Sequence, residues 1–170
     1  MNAIPYNLEQ YSLEQLLPHR SPMLLLDGVL SCTLERAEVR VSISTESAFY
    51  SGVYAGVPLW VGIEYMAQTI GVWEGFRKLS SHQIVQAAFL LAARDYQTSC
   101  GNGDHFPLGS ELTISAIPAF YDEEKRLGVF DCTIVATDVN CSARINAYSP
   151  LEPEKFIELL RSESVDKTAG

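Results

Sequence analysis

Apolar and polar residues along this chain alternate with two different periods, and the change from one to the other divides it. Within Pro58–Phe76 (PLWVGIEYMAQTIGVWEGF), Trp60, Ile63, Ala67, Ile70 and Trp73 recur at three- and four-residue spacing, which predicts a long helix over about 58–78. Its opposite face is also only weakly polar, so the helix is expected to be covered on most sides. Pro58 suits a first turn, where its missing N–H is no loss, and Arg77-Lys78 suit a C-terminus. A shorter helix is expected over 12–17, with Ser12 and Gln15 at capping-box spacing and Pro18 as a stop.

Strand-like stretches flank the long helix. Before it, Met23–Leu26 is a continuous apolar run and Ala37–Ser44 alternates, with a turn near Leu34–Arg36; 47–57 has no period and reads as a loop. After it come four strand candidates, Ile84–Gln97, Glu111–Tyr121, Leu127–Thr137 and Cys141–Tyr148. Turn signals at 101–104, 122–126 and 138–140 separate them. The first of the four could be helical by propensity and is read as a strand from its place in the series. A short C-terminal helix is expected over 154–161, ahead of a frayed tail. Two strands, one long helix and four more strands imply a single α+β domain over 1–170, an antiparallel sheet wrapped around a long central helix.

With 170 residues and 47% hydrophobic content the chain can bury a sizeable core. A net charge of −9 and no basic tract argue against nucleic acid or an anionic membrane surface as partner. The N-terminal MNAIPYNLEQ lacks a signal-peptide pattern and no apolar run reaches membrane-span length, so a cytoplasmic location is expected. Cys32, Cys100, Cys132 and Cys141 show no C-x-x-C pairing or ligand spacing and read as reduced structural thiols. Without a nucleotide fingerprint, phosphate loop, metal-ligand set or nucleophile motif, no cofactor is expected.

One residue breaks the apolar run. Glu64 is the only charged side chain between Glu46 and Glu74, and a carboxylate in apolar surroundings is costly unless paired, protonated or used. Such surroundings raise a carboxyl pKa, which suits a general acid. Gln68, one turn on, could orient Glu64 or be an ordinary helix polar residue. Gly62 could offer a helix N-terminal N–H to a developing negative charge, or simply permit close packing.

Two motifs carry a family resemblance. Leu17-Pro18-His19-Arg20-Ser21-Pro22-Met23-Leu24-Leu25-Leu26-Asp27 and Ile63-Glu64-x-x-Ala67-Gln68 resemble segments of the hot-dog 3-hydroxyacyl-acyl-carrier-protein dehydratases. Phe106-Pro107-x-Gly109 resembles their later V-P-G-D turn. In detail Val57–Gln68 and Phe130-Asp131-Cys132 look similar to the dehydratase-like subunits encoded with aryl-polyene type II polyketide systems. The resemblance implies a hot-dog fold and removal of water from a 3-hydroxyacyl thioester, in fatty-acid or polyene biosynthesis. It also implies a substrate carried on phosphopantetheine by an acyl carrier protein, and a homo- or hetero-oligomer formed through the hot-dog dimer interface.

In the family a histidine in a loop before the central helix works with the helix carboxylate, whose place Glu64 takes. This chain departs there: no histidine lies between His19 and His82. Three readings follow. A partner subunit supplies the histidine; or His19 or His105 has taken over as base; or the protein is a non-catalytic acyl-thioester binding or scaffolding subunit. His19 otherwise reads as structural, His105 as a solvated loop residue, and His82 has no case. Phe49, Tyr50, Tyr54 and Trp60 read chiefly as core and interface residues, with Tyr50, Tyr54 and Trp60 the candidates to line an acyl tunnel. Arg20, Arg77, Lys78 and Arg94 could form a local docking patch for an acidic carrier protein, which the overall charge would otherwise repel.

Overall fold

A computed structural model describes residues 11–100 and 103–166. The expectations for MNAIPYNLEQ, for Gly101-Asn102 of the first turn signal and for the end of the tail lie outside these residues. The elements are α1 (Leu13–Leu16), β1 (Gly28–Cys32), β2 (Ala37–Ser42), β3 (Gly56–Pro58), α2 (Gly62–Ser80), β4 (Phe89–Cys100), β5 (His105–Pro107), β6 (Glu111–Asp122), β7 (Leu127–Val135), β8 (Val139–Tyr148) and α3 (Pro153–Asp166). A 3-10 turn, Leu59–Val61, leads directly into α2. Six strands form one antiparallel sheet in the order β1-β2-β6-β7-β8-β4, while β3 and β5 pair separately. The sheet wraps the central helix in the expected α+β hot-dog layout.

Extra residues help the sheet curl. The ladder register shifts between Leu90 and Ala92 and between Arg94 and Gln97 in β4, and between Pro118 and Phe120 in β6. Each bulge sharpens the local twist, and the one in β6 falls beside a proline that has no N–H for the ladder. Inside the curl, Tyr65, Met66, Thr69, Val72, Trp73 and Phe76 of α2 are buried against β2, β6, β7 and β8. The helix is covered on most sides, as its composition predicted, but the buried stripe is rotated from the expected one. Trp60 is 60% exposed, while Tyr65 packs on Phe106 at 6.0 Å between ring centroids.

Three expected elements differ. Met23–Leu26 joins no strand: the Met23 and Leu24 N–H groups turn back to the Arg20 carbonyl, and other backbone groups of the segment are met by the Gln68 side chain. Its Nε2 donates to the Met23 carbonyl at 2.8 Å and its Oε1 accepts from the Leu25 N–H at 3.0 Å. The strand expected from Ile84 starts at Phe89, which pairs with Tyr148, the last residue of β8; upstream of it no ladder partner remains. β3 and β5 were not foreseen, since three-residue strands containing Pro58 and Pro107 carry no alternation, and the turn expected at Phe106–Gly109 begins only at Leu108. α3 is longer than expected and is seated by Phe156, whose ring meets Phe89 and Tyr148 at 5.0 and 5.2 Å.

α1 crosses α2 where the helix has least bulk. A Cβ on Gly75 would lie 2.0 Å from the Leu16 carbonyl oxygen, and one on Gly71 would lie 2.6 Å from the Leu17 side chain. The seat fixes the entry of the Leu17-Pro18-His19 segment over α2. At the other end of the sheet order, β4 is an edge strand with Leu90 and Leu91 exposed.

Candidate active site

Glu64 sits in the first turn of α2, beside a cavity of about 110 Å³ between α2, the Pro18-His19 segment and the start of β4. Gln68 Nε2 donates to Glu64 Oε1 at 2.9 Å while holding Met23 and Leu25, so the amide that meets that segment also fixes the carboxylate. His19 Nε2 lies 4.0 Å from the same oxygen. Arg20 holds the turn behind that histidine by donating to the carbonyls of Leu17 (2.9 Å) and His19 (2.7 Å). His19 Nδ1 is buried without a hydrogen-bond partner. The Glu64 side chain keeps 40% exposure, so the enclosure inferred from the apolar run is incomplete: its flank of the helix faces the open side beside the β4 edge.

Beyond Glu64 the cavity wall is mostly apolar, with Ala67, Ile70, Ala88, Phe89 and Ala147, and it reaches Glu74. Glu74 is buried and fully paired. Arg77 donates to both its oxygens at 3.0 and 3.1 Å, Lys78 Nζ lies at 3.8 Å and the Tyr121 hydroxyl at 3.3 Å. Burial opposes the Arg77 charge, but Glu74 outweighs it and holds the guanidinium pKa above its ordinary value. Burial lowers the Lys78 pKa. Burial, aided by the Glu74 charge, pushes Tyr121 up to about 12. Arg77 and Lys78 are therefore committed inside the protein and do not form the docking patch suggested for them; Arg20 and Arg94 remain exposed.

The other candidates do not gather at this cavity. Gly62 is buried, its N–H turns back to the carbonyls of Leu59 and Trp60, and a Cβ there would lie 2.6 Å from the Tyr96 hydroxyl, so close packing accounts for the glycine. That hydroxyl in turn donates to the Leu59 carbonyl. Tyr50 packs partly buried against the core, Trp60 meets Phe49 edge-on at 5.4 Å and Tyr54 stacks at a tilt on His105 at 5.6 Å. None of these, and not His105, lines the Glu64 cavity. Glu74 was not singled out in the sequence, where nothing local signals its burial among Arg77, Lys78 and Tyr121.

Among the described residues no three His, Cys, Asp or Glu side chains converge as a metal site, and no helix is long and apolar enough to cross a membrane. Cys32, Cys132 and Cys141 are buried, and burial pushes the Cys32 and Cys132 thiols up to about 12, a setting of inert structural thiols. The Cys100 side chain lies outside the described residues.

The family profile described as ApeP-like, ApeP dehydratase, matches residues 11–158. The 3-hydroxyacyl-[acyl-carrier-protein] dehydratase FabZ of Petrotoga mobilis is 36% identical over 39% of the chain, which spans about half (48%) of that relative. The FabZ of Chlamydia trachomatis serovar L2 is 35% identical over 60% of the chain and 71% of the relative. Among solved structures, the dehydratase heterocomplex ApeI:P from Xenorhabdus doucetiae is similar with a TM-score of 0.77 and 28% identity, covering 88% of this chain and 97% of that one. The E. coli PaaI protein shares the fold alone, with a TM-score of 0.54 and 14% identity over 72% of this chain and 82% of its own.

Proposed function

The chain belongs to the ApeP-like dehydratase family, and we propose that it is a subunit of a 3-hydroxyacyl-acyl-carrier-protein dehydratase in which Glu64 is the general acid and a histidine of a partner subunit is the base. The carrying observation is the Glu64 carboxylate itself. It lies half-exposed at the mouth of a mostly apolar cavity, held by a neutral amide, with no Lys or Arg among the described residues paired to it. The similarity to a chain of a dehydratase heterocomplex supports a hetero-oligomer, with the open side of Glu64 and the β4 edge toward the partner. A carrier protein would then dock largely on the partner, since a chain of net charge −9 repels another acidic protein.

The chemistry divides between the two groups. The partner imidazole takes the proton from the carbon beside the thioester carbonyl, the electron pair forms the C2–C3 double bond, and the C3–oxygen bond breaks. Gln68 Nε2 already donates to Glu64 Oε1, so the acidic proton sits on Oε2 and passes to the departing hydroxyl, which leaves as water. The cycle closes when the proton on the imidazole returns to the Glu64 carboxylate. The substrate brings its phosphopantetheine arm, and no other cofactor enters these steps.

Assay of the purified chain alone, and then mixed with a His-bearing dehydratase-like partner, tests the reading. The chain alone is expected to be inactive and the mixture active, and Glu64→Gln should lower the mixture about 10²–10⁴-fold, the usual worth of a positioned proton-transfer group. Unchanged activity of the mixture with that substitution would leave a scaffolding subunit.

One observation favours a second reading, the approach of His19 to within 4.0 Å of Glu64, which lets the chain carry its own base. It requires the pair to separate and admit substrate between them. Turnover by the pure chain that His19→Asn abolishes would establish it; an inactive pure chain removes it.

A further inference from the structure

One oxygen of Glu64 is approached from two sides. Gln68 Nε2 donates to Oε1 at 2.9 Å, and His19 Nε2 lies 4.0 Å from the same atom. That gap is longer than a hydrogen bond, but both side chains are part-exposed, 33% for His19 and 40% for Glu64, and contacts of this kind commonly tighten only once substrate is bound. The backbone that delivers the ring has less freedom. Arg20 Nη1 donates to the carbonyls of Leu17 and His19, and the Arg20 carbonyl accepts from the Met23 and Leu24 N–H groups at 2.8 and 3.1 Å. On the other side of His19, the Leu17 N–H closes α1 on the Leu13 carbonyl at 2.8 Å, and that end is seated on Gly71 and Gly75.

Which nitrogen faces the carboxylate decides what the ring can do. A carboxylate only accepts, whereas a neutral imidazole has one N–H and one lone pair. With the proton on Nδ1, the Nε2 lone pair would be set against the lone pairs of Oε1, and a donor would be buried with no acceptor among the described residues. With the proton on Nε2, the donor faces the carboxylate and only a lone pair is buried. A ring so protonated has no free lone pair beside Glu64 and cannot take a proton from a substrate there. We propose that His19 is a positioning residue, whose Nε2–H joins the Gln68 amide on Oε1 so that two neutral donors hold that oxygen and keep the acid proton on Oε2. The inference rests on the reading of Glu64 as the general acid, and it separates His19 from the part of the base.

His19→Leu and His19→Gln, each in the full chain mixed with the His-bearing partner, test it; glutamine sets an amide N–H near the place of Nε2 but cannot act as a base. His19→Leu should lower kcat about 10- to 100-fold with little change in KM, the effect of one hydrogen bond to a charged group, and His19→Gln should recover most of that loss. Equal loss in the two variants overturns the donor role in favour of proton transfer by the ring, and wild-type kcat in both overturns any role. A loss that follows the urea unfolding midpoint or the affinity for the partner makes the residue structural and overturns the proposal as well. A second measurement needs no partner. Nitrogen-15 NMR of the full chain at about pH 8, where imidazole is ordinarily neutral, with the His19 signals identified by their absence in His19→Gln, should show the proton on Nε2. An inactive wild-type mixture overturns the general-acid reading itself, whereas an active one with the His19 proton on Nδ1 overturns this inference alone.

Discussion

Two glutamates stand on one helix, ten residues apart on the wall of the same cavity, and their surroundings differ in burial and in the charge set against each. Glu74 is enclosed by Arg77, Lys78 and the Tyr121 hydroxyl, so its negative charge is matched by fixed positive charge in a poorly solvated place. Glu64 is met by the neutral Gln68 amide and by an imidazole, the one side chain whose charge ordinarily changes near neutral pH. Among the described residues no fixed positive charge is set against it. Residue type does not separate the two carboxylates; burial and the nature of their partners do.

The same substitution at both sites puts that contrast at risk. Glu64→Gln should leave the unfolding midpoint in urea almost unmoved while removing the roughly 10²–10⁴-fold of rate that a general acid supplies. Glu74→Gln should do the reverse. With Arg77 and Lys78 left buried beside a neutral amide, stability should fall by about 3–5 kcal/mol while the folded fraction keeps its turnover. If the two variants exchange phenotypes, the assignment is inverted.

Gln68→Leu sharpens the comparison at its hinge, because that amide serves both the fold and the acid. Losing its bonds to Met23, Leu25 and Glu64 should cost about 1–3 kcal/mol for the orphaned backbone groups, read by urea unfolding. It should also lower kcat of the folded, partner-mixed protein with little change in KM, a split that a purely structural Gln68 would not produce. The smallest effect belongs to a third carboxylate, far from the cavity. Asp131 pairs across β7 and β8 with Arg144, whose hydrogen bond and charge hold its carboxyl below the usual carboxylate range. The stabilisation is complete above the ordinary value of about 3.9 and is lost as pH falls through the lowered one. Asp131→Asn should flatten acid denaturation slightly in that window and nowhere else, and added salt should hide the difference.

Much of this was legible along the chain. The helix, β2 and the β6–β7–β8 meander follow from periodicity, and Glu64 stood out because a charge interrupts an apolar run. What could not be read shares one cause, long-range partnership. Met23–Leu26 has the composition of a strand and finds a partner instead in the Gln68 side chain 45 residues on. His19 reaches Glu64 only because α1 folds back over α2. Trp60 and Tyr54 looked like tunnel residues from their apolarity, yet nothing local says which side of the β3–β5 pair they face.

Gly75 shows how that distance bears on variation. Its neighbour in space is backbone, the Leu16 carbonyl at 2.0 Å from where a Cβ would stand, and backbone cannot step aside by changing rotamer. A Gly75→Ala change looks among the mildest a gene can acquire, one methyl group in a helix that otherwise welcomes alanine. Here it would push α1 off its seat and carry His19 away from Glu64, so the loss would register at a residue eleven positions away that the change never touches. Screened by side-chain similarity, such a variant would pass as silent; screened by what the glycine leaves room for, it is a lesion of the candidate site.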